Sequence, residues 1–162
     1  MPHQFTAKEN FLIGVISDTH GQLVSEVDNA FEGMDIIIHA GDIGRPEILK
    51  TLGKIAPTVA VRGNMDAGKW ANKLPPVDRI DIGRLAIFVI HDLYQLTMEP
   101  RSAGISAVIS GHTHQPWARE ESGVLYLNPG SASQARYGSP ASVAVLKIQQ
   151  DSLKAEFINL AH

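Results

Sequence analysis

The chain contains no cysteine, which excludes a disulfide-stapled fold and leaves nothing that requires an oxidising compartment. No apolar run reaches the roughly 18 residues of a membrane span. The polar start, residues 1–10 with Lys8 and Glu9, lacks the apolar stretch of a signal peptide. A soluble, cytoplasmic protein is expected. Lysine and arginine form no run, and the formal net charge is −3, at odds with the basic surface of a general nucleic-acid binder. Internal repeats, low-complexity tracts and linkers are also missing. The most loop-like internal stretch, residues 72–78 with Pro75-Pro76, is too short to divide domains. At 162 residues and 44% hydrophobic, the chain reads as one domain over residues 1–162 with a substantial core, preceded by a flexible extension at 1–10.

What is present begins with a run of Ile and Val at residues 11–17, continuous enough to read as a strand covered on both faces. A helix is predicted over 22–31, a second buried strand over 35–39, a helix opened by Pro46 and ending near Gly53, and a third strand over 58–61. This β-α-β-α-β order implies parallel pairing. The second half is strand-rich: 79–82 and 85–90 flank Gly83-Arg84 as a hairpin, and 107–110, 124–127, 142–148 and 154–160 continue a mainly antiparallel series. Two mixed sheets packed face to face with helices outside, an α/β/β/α sandwich, reconcile the two halves.

Five polar motifs close apolar runs: Asp18-Thr19-His20, Gly41-Asp42, Gly63-Asn64, His91 and Gly111-His112-Thr113-His114. Carboxylate, imidazole and amide oxygens together suit manganese, iron, zinc or nickel, and in this number they suit two ions. Strand ends are where distant positions of an α/β sheet meet. The i, i+2 spacing of Asp18/His20 and His112/His114 is expected to point both side chains to one side of an extended segment. Glycines before Asp42, Asn64 and His112 permit close backbone approach. Alone, Asp42 or Asn64 would read as a turn residue; their occurrence with the histidine pair reverses that. His39, at the end of an apolar strand, is expected to be a hydrogen-bonded core histidine rather than a ligand. Asp66 and Asp92 read as hydrogen-bonding or turn residues, Trp70 and Trp117 as packing residues, and His3 and His162 as terminal residues without a role.

In these motifs and in Asn128-Pro129-Gly130-Ser131 the chain resembles the calcineurin-like metallophosphoesterases, specifically their small single-domain phosphodiesterase branch. The resemblance implies that Asp18, His20, Asp42 and His114 hold one metal, and that Asp42 bridges to a second held also by Asn64, His91 and His112. Asp42, Asn64 and His112 are then the catalytic residues of a hydrolysis in which a hydroxide generated at the metals attacks phosphorus. Two divalent ions against Asp18 and Asp42 leave a positive site that attracts an anion. Manganese is the preferred cofactor on the family's habits, with zinc, iron or nickel as alternatives. Arg62 and Arg136 are candidate contacts to that anion.

The chain departs from many of those relatives at one position, having Gly63-Asn64-Met65-Asp66 where they have histidine after the asparagine. That histidine is the leaving-group acid, and Met65 has no proton to donate, so small diesters and aryl leaving groups are favoured over alkyl monoesters. A retromer subunit shares this fold and acts as a binding scaffold, so a scaffold is the competing reading. A nuclease is another, disfavoured by the acidic balance and the lack of a basic aromatic groove. Self-association is left open.

Overall fold

The structure is a computed structural model that describes residues 3–133 and 139–160. Its first apolar run is β2 (Phe11–Ile16), with β3 (Ile36–His39) and β4 (Thr58–Ala60) following it as parallel neighbours. The long hairpin of β10 (Ser142–Gln149) and β11 (Ser152–Asn159) adds antiparallel to β2, giving a five-stranded sheet in the order β11-β10-β2-β3-β4. A second sheet contains β1 (His3–Phe5), β5 (Val77–Ile82), β6 (Leu85–Ile90), β7 (Ala107–Ile109), β8 (Trp117–Glu121) and β9 (Val124–Asn128), in the order β1-β5-β6-β7-β9-β8.

Strand alternation sorts the apolar residues into layers. Ile13, Val15, Ile36 and Ile38 meet Ile80, Ile87, Val89 and Ile109 of the other sheet in the central core. Ile16 and Ile37 point the opposite way, against α1 (Glu26–Ala30), α2 (Pro46–Ile55) and α3 (Lys69–Asn72), through Val27, Phe31, Ile48, Leu52 and Trp70. The two-sheet architecture is as expected. On the far face of the six-stranded sheet, Ala86, Ile90 and Val108 are covered by Leu93, Leu96 and Met98, so that layer is a loop carrying a 3-10 turn at Leu93–Gln95. No α-helix covers that face among the described residues, and no helix is long and apolar enough to cross a membrane.

Several expected boundaries move, each for a local reason. The helix foreseen over 22–31 shortens to five residues, with Ser25 preceding its first turn. That opened by Pro46 runs past Gly53 to Ile55 and stops where Pro57 holds Ala56 extended. The second half is mixed rather than mainly antiparallel, because residues 91–106 and 110–123 return the chain and let β6, β7 and β9 pair parallel. The polar strand β8 pairs with β9 through a two-residue turn in which Ser122 and Gly123 both have positive φ, the twist a tight hairpin needs. Residues 1–10 are not wholly a flexible extension: His3–Phe5 pairs parallel with β5, Phe5 stacks edge-on against Phe11 at 6.1 Å, and His3 Nε2 lies 2.9 Å from Asp78 Oδ2.

Gly14 sits on the helix-facing side of β2, where an added Cβ would lie 2.9 Å from the ring of the fully buried Phe31. Gly53 lies within α2, where an added Cβ meets nothing within 4 Å. Gly14→Ala should therefore cost about 1–3 kcal/mol through overpacking, whereas Gly53→Ala should stabilise the fold by about 0.5–1 kcal/mol. Urea unfolding of both variants checks the pair; a Gly14 variant as stable as the parent would mean that Phe31 yields without cost.

Candidate metal centre

All five ligand-bearing motifs lie beyond the carboxyl ends of β2, β3, β4, β6 and β7, so side chains from both sheets converge where the sheets meet. The chain turns sharply there. Asp18, His20, Asp42, His112 and His114 all have φ between 47° and 72°, the left-handed region. The expected extended geometry for the i, i+2 pairs is thus corrected: each pair projects from a left-handed turn just past its strand. The turns are fixed by backbone hydrogen bonds between loops, from the amides of Asp18, His20 and Gly21 to the carbonyls of Gly41, Asp42 and Ile43, at 2.8–3.0 Å. Close approach explains two of the glycines. A Cβ at Gly111 would strike Ser17 Oγ and Asp18 Oδ2, and one at Gly63 would strike the Asp42 amide and Oδ1.

The donors fall into two adjoining groups, Asp18/His20/His114 and Asp42/His91/His112. In the first, His114 Nε2 and His20 Nε2 lie 3.2 and 3.6 Å from Asp18 Oδ1 and 3.3 Å from each other. In the second, His91 Nε2 lies 3.2 Å from Asp42 Oδ2. Asn64 Oδ1 is 3.0 Å from His91 Nε2 and 3.1 Å from His112 Nδ1, which joins it to that group. Asp42 Oδ2 also lies 3.9 Å from His20 Nε2, so it stands between the groups. All seven sequence-derived ligand candidates are thus brought together. Asp18 Oδ1 is buried without a hydrogen-bond partner, and imidazole nitrogens facing one another across a carboxylate suit a cation better than they suit each other. The donor set fits divalent metal ions.

Electrostatics of the metal-free centre follow from this crowding. Burial alone would raise the pKa of Asp18, but His114, His20 and the Ser17 hydroxyl hold it well below the usual carboxylate range. Burial likewise opposes ionisation of Asp42, and His91 with the Met65 amide outweighs it, so its pKa is lowered. The Asp18 carboxylate, acting against burial, raises His20. For His91, burial favours the neutral ring, yet Asp42 and Asp18 prevail and raise its pKa.

Around the donors stand residues that hold the loops. Asp66, foreseen as a hydrogen-bonding or turn residue, accepts hydrogen bonds from the amides of Ile43, Gly44 and Gly63 at 2.9–3.0 Å, clamping two ligand loops together. Asn128 donates to Gly111 O and accepts from the Gly130 amide. Ser131 of the Asn128–Ser131 motif, together with Ser17 and Ser133, which were missed from sequence because hydroxyls carry no periodic signal, donates to Asp18 atoms at 2.6–3.0 Å. Asp92 caps the 3-10 turn by accepting from the Tyr94 amide, with Oδ2 3.9 Å from His112 Nε2. Trp70 packs under the helices, while Trp117 lines a shallow cleft beside Tyr94 and Thr113. Arg62 lines a cavity shared with Asn64 and His91, whereas Arg136 and His162 fall outside the described residues.

His39 is fully buried and not a member of either donor group. Its Nδ1 accepts from the Gly41 amide at 3.1 Å, which places the ring proton on Nε2, 3.1 Å from Thr19 Oγ1; Thr19 donates onward to Ile43 O. Burial pushes its pKa down to about 3. Between pH 6.5 and 3 the unfolded chain binds a proton here that the folded chain does not, so stability falls with decreasing pH by about 1.4 kcal/mol per unit. His20 and His91 act with the opposite sign, their contribution being fully present at low pH and lost as pH rises through their raised values. The metal-free His39→Gln variant should therefore be less stable than the parent near neutrality but shed less stability between pH 6 and 5, by about 1.4 kcal/mol. Urea midpoints at several pH values test this; parallel pH dependences for variant and parent would refute the buried neutral imidazole.

Comparison with known proteins agrees with this geometry. The family model of the calcineurin-like phosphoesterase superfamily domain matches residues 11–151. A probable metallophosphoesterase from Methanothermobacter thermautotrophicus is 39% identical over 159 residues, covering 91% of each chain. The phosphodiesterase YfcE of Escherichia coli is 27% identical over 125 residues, covering 69% of this chain and 68% of its own. Among solved structures, wild-type Vps29 from Entamoeba histolytica complexed with Zn2+ superposes with a TM-score of 0.65 at 22% identity, covering 93% of this chain and all of its own, a likeness of fold. With the family model spanning most of its length, this chain belongs to the calcineurin-like phosphoesterase superfamily.

Proposed function

We propose that this protein is a two-metal phosphodiesterase acting on small diesters. The observation that carries the reading is the pair of adjoining donor groups with Asp42 between them, complete in all seven residues. Asp18, His20, Asp42 and His114 would hold one ion, and Asp42, Asn64, His91 and His112 the other. When bound, two such ions supply Lewis acidity to the phosphoryl oxygens and make water nucleophilic near neutral pH. Mixed oxygen and nitrogen donors leave the choice of metal broad, and manganese is our preferred one.

The chain's own residues set the conditions. His20 and His91 must shed the protons that their carboxylate neighbours favour in the metal-free state, so acid weakens loading. Asp42 is oriented by the Met65 amide at 2.8 Å, and His91 by its Nδ1 contact with Ala40 O at 2.7 Å. Asn64 and His112 stand side by side at the open edge of the second group, where they would hold the phosphoryl group in line. Arg62 is placed to contact the substrate from the adjoining cavity. Met65 is 67% exposed beside Asn64 and supplies no proton. The diesterase name of YfcE and this missing acid both favour diesters with good leaving groups. A scaffold role gives no reason for seven ligands to stay together.

Metal analysis after loading should find two divalent ions per chain in the parent. Asp42→Ala should lose at least one of them and depress diester turnover by at least about 10³-fold while its circular dichroism stays native. Near-normal turnover by that variant would defeat the two-metal reading. For Met65→His, kcat/KM on monoesters should rise relative to diesters, most for alkyl leaving groups and least for nitrophenolate, by up to about 10²-fold. A leaving-group series under one metal condition checks this. A uniform change would show that another group already supplies the proton, or that the new imidazole is misplaced.

A further inference from the structure

Both sheets end in strands with one unpaired side, and length sets one of these strands apart. At the outer edges β1 and β4 hold three residues each and β8 holds five, whereas β11 holds eight. A short edge strand offers little to another chain, but a long regular one is a template for pairing. The hairpin shows which groups of β11 are free. Gln149 and Ser152 close it across a two-residue turn, and at its other end the Leu160 amide donates to Ala141 O at 2.8 Å. The even-numbered residues of β11 therefore form the hydrogen-bonded pairs with β10, and the amides and carbonyls of Leu153, Ala155 and Phe157 face outward. Among the described residues no strand takes them up.

The side chains of β11 match a second copy of the same strand. Two antiparallel copies related by a two-fold axis can pair in several registers, each defined by the residue on the axis. With Ala155 there, Lys154 stands opposite Glu156 of the second copy and Leu153 opposite its Phe157, each twice by symmetry. An axis at Lys154 or at Glu156 sets like charges against each other, and one at Leu153 or Phe157 leaves both charges without an opposite partner across the interface. A lysine on an edge strand ordinarily deters pairing. Here Lys154 and Glu156 are both exposed, 3.9 Å apart along one strand, so together they select a single register. Leu153 and Ala155 lie half-buried against the central core, while Phe157 on the same face is exposed, and that register covers its ring. We propose that the protein forms a two-fold dimer in which β11 pairs antiparallel with β11 of a second copy about Ala155, joining the two five-stranded sheets into one. The carboxyl end of β2, which Asp18 follows, lies on the same side of the sheet as the end of β11. Antiparallel pairing thus sends the two metal centres to opposite ends of the joined sheet and leaves both open. An interface one strand wide is at the small end of the specific class, so association is expected at micromolar rather than nanomolar concentration.

Sedimentation velocity of the parent, from micromolar to millimolar concentration, should show a reversible monomer–dimer equilibrium. Ala155→Pro removes an amide that faces the second copy and none that the hairpin uses, so it should give a monomer throughout the series with native circular dichroism. Lys154→Glu and Glu156→Lys should each weaken self-association about 10-fold, because each sets like charges opposite one another. An equimolar mixture of these two variants should recover the dimer, since their strands then carry opposite charges. The chain has no cysteine, so a single introduced one reports on its own position. Under oxidation Ala155→Cys should cross-link, its two Cα atoms lying about 5.5 Å apart across the axis, and Ser152→Cys should not. A parent that stays monomeric across the series or a dimer that survives Ala155→Pro in a folded protein would overturn the proposal. So would a charge-variant mixture that associates no better than either variant alone, or equal cross-linking at the two positions.

Discussion

The burial of one carboxylate organises this molecule. Asp18 is wholly enclosed where the two sheets meet, and a buried charge is tolerated only if hydrogen bonds and counter-charge replace the water it has lost. Its Oδ2 takes the Ser17 hydroxyl and the His112 amide, and its backbone carbonyl takes the hydroxyls of Ser131 and Ser133. Those donors come from the residue after β2, from the loop after β7 and from the segment after β9, so satisfying one residue draws the six-stranded sheet onto the five-stranded one. Oδ1 is left over for imidazoles and a cation. Closing the sandwich and building the centre are therefore the same event.

That dependence explains which parts of the structure could be read from sequence. Buried strands announce themselves by unbroken Ile and Val, so β2, β3 and β6 were legible, and each delivers its ligand at the next turn. The ligand residues were legible because carboxylate, imidazole and glycine punctuation have few other uses in combination. Strands β1 and β8 were not: three polar-leaning residues and the run Trp117–Glu121 carry no alternation, and only pairing to a formed neighbour makes them strands. Asp66 was legible as a hydrogen-bonding or turn residue, but its distant partners were not. It binds amides of Ile43 and Gly44, which lie more than twenty positions away, and no local pattern encodes that distance.

The extended reading of Asp18/His20 and His112/His114 failed because spacing fixes only which residues share a face when the backbone dihedrals are known. In a strand, i and i+2 point alike. In these loops both members are left-handed, and their convergence comes from the reversal of the chain and from hydrogen bonds between loops. The same observation bears on mechanism, since side chains held in tight turns over a strand end have little freedom to relax away from an ion or from one another.

It also weighs enzyme against scaffold. The left-handed region costs most non-glycine residues roughly 1–2 kcal/mol and aspartate and histidine less, since they enter it more readily, and five metal-centre residues adopt it at once. Glycine would relieve it at each position, and glycine already stands beside Asp42 and His112. A surface that served only to be touched would gain by that exchange. Aspartate and histidine are the costlier choice unless their donor atoms are needed where the turns place them, and a divalent cation, which would also neutralise the buried Asp18 Oδ1, supplies that need.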